Sequence, residues 1–261
     1  MKENQNYKQL LSEQYTRGEL PVLSRKDTFK FTCVQCGECC RNRDDVLLTP
    51  FDVFRLCKAT GLNAAEFIMK YCSVYPGGTS KLPIVSIKYR PVYNGSRVIG
   101  TRCPFLGKRD GLHFCRVQDA KPFVCFSYPL GKVCFENTKT EYILQSDCDC
   151  AGARKATRED ITQVVEDWML GEEKLDMEER YSEIFYGFLT NYRSWINVDE
   201  LAENKKALPL YKKWLVLVAD LLYCSYDFSA DETVFLEQLK VNISMIEELC
   251  KVIVTELSRR F

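Results

Sequence analysis

Residues 33–40 read Cys33-Val34-Gln35-Cys36-Gly37-Glu38-Cys39-Cys40, which places four thiols in eight positions. Neighbouring thiolates repel one another and oxidise readily, so a soft metal ion is the natural group to neutralise them. The first three thiols follow the spacing C-x2-C-x2-C, with which bacterial iron–sulfur runs begin, and Gly37 permits a positive φ among them. Adjacent side chains usually point apart, so we expect Cys40 to serve a second metal, another edge of a cluster or thiol exchange.

A second group of cysteines lies further along the chain. Cys103 precedes Pro104, like the remote Cys-Pro ligand of bacterial iron–sulfur clusters, and two prolines stiffen the loop around Cys125. Structural zinc sites usually combine two separated C-x2-C pairs, a less close match to this spacing, so we expect an iron–sulfur cluster in preference to zinc. Seven thiols exceed one four-ligand site, and Cys148 or Cys150 would bring the set to eight. The candidate metal ligands are Cys33, Cys36, Cys39, Cys40, Cys103, Cys115, Cys125, Cys148 and Cys150.

The composition of the chain limits which kinds of partner and which cellular compartment we expect. The chain has 36 Lys and Arg against 36 Asp and Glu, a balance that argues against a nucleic-acid partner or an anionic membrane surface. The apolar runs at 214–219 and 221–224 are shorter than the ~20 residues of a membrane span, and residues 1–7 lack an apolar signal segment. We therefore expect a cytoplasmic protein, in which the 14 cysteines serve metal binding, redox chemistry or the core rather than disulfides.

The pattern along the chain predicts three parts. They are an N-terminal helical arm over 1–28, with Tyr7, Leu10, Leu11 and Tyr15 at helical spacing, a cysteine-cluster metal-binding domain over 29–150, and a helical bundle domain over 151–261. The expected fold class is α+β, with a cysteine-rich N-terminal domain of short strands and helices followed by an α-helical C-terminal domain.

Local capping signals place the helices. Thr49 before Pro50 predicts the start of one helix, and Asn63 with Glu66 predicts a capping box for the next. Thr157 is expected to cap a further helix. Apolar periodicity then predicts long helices at about 174–196, 209–224 and 232–258. The apolar faces carry thiols that we expect in the core, namely Cys57, Cys72, Cys224 and Cys250.

Alternation of apolar and polar residues predicts the strands. Residues 29–32 form one that leads into the cysteine loop. Residues 84–89 and 97–99 are expected to be strands around the turn at Asn94-Gly95, and residues 133–135 and 141–144 to form another hairpin.

The cysteine motifs resemble those of a known family. The segments Cys33-x2-Cys36-Gly37-x-Cys39-Cys40-Arg41 and Leu48-Thr49-Pro50-x-Asp52-Val53-x-Arg55-Leu56 are similar to the YkgJ-type cysteine-cluster family, described as a zinc- or iron-chelating domain. Its second half is similar to Cys103-Pro104-Phe105-Leu106, Cys115 and Pro122-x2-Cys125-x2-Tyr128-Pro129, so the resemblance covers roughly residues 29–150. Lys121 and Phe126 stand where the family usually has arginines, so any anion-holding role of those arginines does not carry over.

Three functional hypotheses follow. The first is a protein that binds an iron–sulfur cluster or iron and handles electrons or metal with a protein partner. The second is a zinc-stabilised interaction module without chemistry. The third, implied by relatives associated with flagellin lysine methylation, is a protein lysine methylase that uses S-adenosylmethionine. The only adjacent glycines, Gly77-Gly78, fall in a predicted turn rather than in a nucleotide-binding motif, and whether the chain is an enzyme stays open.

Overall fold

The computed structural model describes residues 13–134, 140–145 and 150–260. Tyr7, Leu10 and Leu11 of the expected N-terminal arm lie outside the described residues, as does Cys148. Within the rest of that arm, residues 13–16 form a helical turn and a two-residue strand follows.

The described chain is a mixture of helices and strands, and the long helices lie in its C-terminal part. The strands are β1 (Val22–Leu23), β2 (Thr28–Lys30), β3 (Leu47–Leu48), β4 (Cys72–Pro76), β5 (Pro83–Ile87), β6 (Arg90–Asn94), β7 (Arg97–Arg102), β8 (Leu106–Arg109), β9 (Leu112–Cys115), β10 (Leu130–Cys134), β11 (Thr140–Leu144) and β12 (Thr162–Val164). The α-helices are α1 (Pro50–Thr60), α2 (Ala64–Tyr71), α3 (Phe123–Phe126), α4 (Ala151–Glu159), α5 (Val165–Trp168), α6 (Glu172–Trp195), α7 (Val198–Glu203), α8 (Leu208–Tyr223) and α9 (Glu232–Arg260).

The helix starts predicted from capping signals are confirmed where the signal is local. Thr49 and Asp52 exchange side-chain and backbone hydrogen bonds at the start of α1, and Gly61 ends that helix with a φ of 65°. Asn63 and Glu66 form the same reciprocal pair at the start of α2. These bonds satisfy backbone N–H groups that have no partner inside the helix.

One predicted strand pairing is wrong. Residues 90–94, rather than 84–89, form the hairpin with β7 around Asn94-Gly95. Strand β5 instead lies between β3 and β4, with Val85 opposite both Leu48 and Val74. Residues 83–87 are largely buried, and a central position in a sheet provides that burial, whereas the hairpin is exposed.

The helix predicted to begin at Thr157 is also wrong. Thr157 lies inside α4, whose N-cap is Cys150, and Asp160 ends that helix with a φ of 53°. The next residues form β12, which pairs antiparallel with β2. The helical spacing of Ile161, Val164 and Val165 is therefore interrupted by a strand whose partner is distant in sequence.

The chain divides into two compact units, each of which is discontinuous in sequence. The first unit contains the described residues of Met1–Val46 together with Tyr89–Gln118 and Phe123–Glu179. Its sheets have the strand orders β1-β11-β10 and β12-β2, with two further hairpins, β6-β7 and β8-β9. Its core is a buried cluster of Phe29, Phe31, Leu130, Tyr142, Val165, Met169 and Leu175.

The second unit contains Leu47–Lys88, Asp119–Pro122 and Arg180–Phe261. Its sheet has the order β3-β5-β4, and α8 packs against α9 and β5. An aromatic group joins α1 to α9, since the rings of Phe51 and Phe54 lie 5.1 and 4.6 Å from that of Phe235. Cys57, Cys72 and Cys250 are buried, as predicted, and Cys224 is half-buried.

The helices of the described residues were also compared with the dimensions of a bilayer. None of them is both long enough and apolar enough to cross one.

Candidate metal centre

The cysteine loop bends through two left-handed residues. The φ angle is 53° at Gln35 and 76° at Gly37, after which residues 38–40 form a single 3-10 turn. This turn brings the sulfurs of Cys39 and Cys40 to 3.9 Å from each other. The expectation that these adjacent side chains point apart is therefore wrong, because it assumed an extended backbone.

Backbone hydrogen bonds join the cysteine loop to the second thiol region. Cys103 N donates to the carbonyl of Cys40 at 2.8 Å, and His113 N donates to the carbonyl of Gln35 at 3.0 Å. Cys115 is the last residue of β9, opposite Leu106 in the hairpin. The cysteine loop is thus fixed by main-chain hydrogen bonds to His113 of strand β9 and to Cys103, which precedes the hairpin.

The pKa of the Cys40 thiol reflects the sulfurs around it. Its pKa is raised far above the ordinary thiol value, first by the hydrogen bond with Cys39 and then by burial. The negative charges that Cys39, Cys103 and Cys125 would carry raise it further. The sulfur of Cys39 lies 3.9 Å from that of Cys40, and Cys103 and Cys125 act on Cys40 through space.

The pKa of the Cys103 thiol is also raised, by burial and by neighbouring cysteines. Burial is the main cause that raises its pKa, to about 11, and the charges of Cys115 and Cys39 contribute in the same direction. The charges of Cys39, Cys103 and Cys125 thus act on Cys40, and those of Cys115 and Cys39 act on Cys103. Of these sulfurs, those of Cys39 and Cys40 lie 3.9 Å apart.

Two residues that the sequence did not single out complete these surroundings. Burial raises the pKa of the Tyr89 hydroxyl, and the charges of Cys103, Cys125 and Cys40 raise it further. Arg43 forms a two-point ion pair with Asp45, at 2.7 and 2.9 Å, and also interacts electrostatically with Cys125. Both follow from chain segments that meet only in the folded protein, and no local sequence pattern would reveal them.

Cys125 is held near this group by the short helix α3 and the loop after it. The indole Nε1 of Trp168 donates to the carbonyls of Ser127 and Tyr128, at 3.3 and 3.2 Å. Trp168 itself packs edge-on against Phe31, with ring centroids 5.2 Å apart. The loop that follows the Cys125 helix is therefore anchored to the buried core of the first unit.

The remaining candidate cysteines are placed differently. Cys33 is exposed and Cys36 is half-buried on the cysteine loop. The sulfur of Cys150 accepts a hydrogen bond from Ala153 N at 3.4 Å and so caps helix α4. The first turn of α4 touches the start of the loop, since a Cβ on Gly152 would lie 2.0 Å from the carbonyl oxygen of Thr32. Cys148 lies outside the described residues.

The sulfurs converge without forming a complete coordination shell in this structure. Within residues 13–134, 140–145 and 150–260, no three Cys, His, Asp or Glu side chains are close enough together to hold a metal ion. The donor chemistry nevertheless fits a soft metal, because thiols that raise one another's pKa would repel once ionised and a cation would remove that repulsion. The residues that would hold it are Cys39, Cys40, Cys103, Cys115 and Cys125, with Cys33 and Cys36 on the cysteine loop.

Comparisons of the chain with protein-family models, with curated proteins and with solved structures found no significant match. The resemblance to the cysteine-cluster family therefore rests on the motif residues alone.

Proposed function

We propose that this protein binds a metal through thiolates, as an iron–sulfur cluster or iron in preference to zinc. The observation that carries the proposal is geometric: the sulfurs of Cys39 and Cys40 lie 3.9 Å apart, and a main-chain hydrogen bond of 2.8 Å joins Cys103 to Cys40. The charges of Cys103, Cys115 and Cys125 act on the same group. Soft thiolate donors suit iron–sulfur clusters, zinc and copper(I), and a site with more than four sulfurs favours a cluster. Bound to these residues, such a cluster would supply one-electron chemistry.

The residues around the sulfurs support the proposal through their charge and exposure. Arg43, which interacts electrostatically with Cys125, would favour the ionised form of a ligating thiol. Cys33, Cys39 and Cys125 are exposed, so the centre would lie at the surface of the first unit. A centre at the surface suits transfer of electrons or metal to a protein partner. The partner and a cytoplasmic location are therefore also part of the proposal.

Purification without oxygen, followed by metal and sulfide analysis, tests the proposal. Brown protein that contains iron and acid-labile sulfide is the expected result, and colourless protein with stoichiometric zinc would instead favour the zinc-stabilised module. Cys103→Ser should lose the metal, whereas Cys224→Ser, a half-buried thiol at the end of α8, should keep it. Full metal content in Cys103→Ser, or neither metal in the unmodified protein, would refute the proposed centre.

The methylase alternative has its own requirement, which is binding of S-adenosylmethionine. Calorimetric titration of the purified protein measures it directly, and the absence of binding would remove that alternative.

A further inference from the structure

Three cysteines of the candidate centre are each adjacent in sequence to an arginine. The pairs are Cys40-Arg41, Arg102-Cys103 and Cys115-Arg116. Arg41 is extended, with φ −130° and ψ 150°, and it forms a β-bridge with Arg102, the last residue of β7. Successive side chains of an extended backbone point to opposite faces. At the ends of β7 and β9, the thiol and the guanidinium group of Arg102-Cys103 and of Cys115-Arg116 can therefore lie on opposite faces, whereas Cys40 belongs to the 3-10 turn.

The arginines of these three pairs do meet, around a cavity of about 460 Å³ in the first unit. Arg41, Arg102, Lys108 and Arg116 line it, together with the imidazole of His113. Among the described residues that line the cavity, none carries a carboxylate. The cavity is therefore strongly electropositive in a chain whose formal net charge is zero.

The cations of this cavity are available to a ligand. Arg25, Arg43 and Arg55 each form ion pairs with Asp or Glu side chains. Within the part of the chain that the structure describes, Arg102, Lys108 and Arg116 form no such pair, and all three side chains are exposed. Arg41 donates to Nε2 of His113 at 2.9 Å, so the imidazole holds this guanidinium without neutralising it.

The size and walls of the cavity indicate more than a bare ion. Small-molecule sites commonly have volumes of about 300–1,000 Å³ and combine apolar walls with a few polar groups. Ile99 and Leu106 supply apolar wall beside the four cations. A phosphate monoester carries a charge of about −1.5 to −2 at neutral pH, and its oxygens match the fork of an arginine. A single carboxylate would leave most of the positive charge uncompensated.

We propose that this cavity binds the phosphate group of a small organic phosphate monoester, with the organic part against Ile99 and Leu106. The site is distinct from the candidate metal centre, and it rests on charge and shape rather than on the thiols. The proposed phosphate binding therefore does not depend on which metal, if any, the cysteines bind.

Calorimetric titration of the full-length protein with adenosine monophosphate, a hexose phosphate, inorganic phosphate, adenosine and a short single-stranded RNA tests the proposal. At least one monoester should bind more tightly than inorganic phosphate, and adenosine should not bind. Lys108→Gln and Arg102→Gln should each weaken monoester binding by about 10- to 100-fold, since hydrogen bonds to charged groups contribute that much. Lys108 has no adjacent cysteine, so its variant reports on the cavity without disturbing the thiols.

The chain offers matched controls on the same strands. Arg97→Gln on β7 and Arg109→Gln on β8 remove the same charge from exposed positions outside the cavity, and binding should be unchanged. Equal weakening by the controls would show a general charge effect and overturn the proposal. Inorganic phosphate binding as tightly as every ester, binding of RNA alone, or no binding by any probe would also overturn it.

Discussion

Gly37 lies directly against the imidazole of His113. A Cβ atom on Gly37 would come to 2.8 Å from Cγ of His113, closer than side chains tolerate, and the φ angle of 76° already disfavours any L side chain. One residue in the cysteine loop is therefore fixed for two reasons, its backbone conformation and its neighbour on β9.

Gly37→Ala should destabilise the first unit by about 2–3 kcal/mol, of which about 1 kcal/mol is the cost of left-handed backbone and the rest is the contact with His113. Urea unfolding monitored by circular dichroism measures the change in the free energy of unfolding.

Gly111 is the matched control, because its φ is 84° but a Cβ there would meet nothing within 4 Å. Gly111→Ala should cost only about 1 kcal/mol. Combining Gly37→Ala with His113→Ala should recover part of the contact loss, since the Cβ of residue 113 would remain at 3.1 Å. Equal effects of the two glycine substitutions would contradict the packing argument.

The two capping boxes of the second unit should contribute different amounts to the free energy of unfolding. The Asp52 carboxylate is only 3% exposed and accepts from both the backbone N and the hydroxyl of Thr49, each at 2.8 Å. Asp52→Ala leaves these donors without a partner in a buried place, so we expect a loss of about 2–3 kcal/mol in the free energy of unfolding. Glu66→Ala removes the equivalent residue from an exposed box, and its effect on thermal unfolding should be clearly smaller. Similar losses would mean that burial does not set the strength of the cap.

Arg55 should not tolerate replacement by lysine. Its guanidinium forms two bonds with Glu232, at 2.6 and 3.0 Å, and lies 3.8 Å from the centroid of the Phe51 ring. Lysine keeps the charge but loses the fork and the planar stacking. Arg55→Lys should therefore cost about 1–2 kcal/mol, measured by chemical unfolding. Lys240→Arg, at an exposed pair within α9, serves as the control and should change little.

The buried thiols should react slowly and with a shifted pH dependence. Burial raises the pKa of Cys57 and of Cys72 to about 12, so at pH 8 only about 10⁻⁴ of either thiol is ionised. Alkylation of these two by iodoacetamide, followed by mass spectrometry of reduced and chelator-treated protein, should lag far behind that of exposed Cys33. Unfolding in urea should remove the difference. Rapid alkylation of Cys72 in the folded protein would contradict its assigned burial.

The same shift makes stability depend on pH. Because the folded protein keeps these thiols protonated while the unfolded chain ionises near pH 8.5, their contribution is complete below that pH. It should decline as the pH rises from about 8.5 towards 12, and the free energy of unfolding of the second unit should fall accordingly. Replacing both thiols by alanine should flatten this decline.

The sequence predicts best what short-range bonds determine. The starts of α1 and α2 follow from side chains three residues apart, and the long helices follow from apolar periodicity. The prediction fails at Thr157, where pairing of β12 with β2 overrides helical spacing, and at the partner of β7, where burial moves β5 into another sheet.

In the candidate site too, features that depend on neighbouring residues are predictable from the sequence, and features that depend on distant segments are not. Clustered thiols are visible in the sequence, and the sulfurs of Cys39 and Cys40 lie 3.9 Å apart. Tyr89, Arg43 and the electropositive cavity are not visible in the sequence, because each depends on segments that meet only after folding. The metal and its ligand set stay predictions.

Alternation along β7 and β9 makes the length of these strands matter for the pairs Arg102-Cys103 and Cys115-Arg116. Inserting or deleting one residue within β7 or β9, before Arg102 or Cys115, would turn the following side chains to the other face unless a bulge absorbs it. Guanidinium groups would then enter the place of the thiols, and sulfurs would enter the basic cavity. A change of two residues would preserve the facing of these side chains. A bulge, like the register irregularity between Val92 and Tyr93 in β6, is the other way to take up a single residue. The register of these short strands thus sets which side carries sulfur and which carries positive charge.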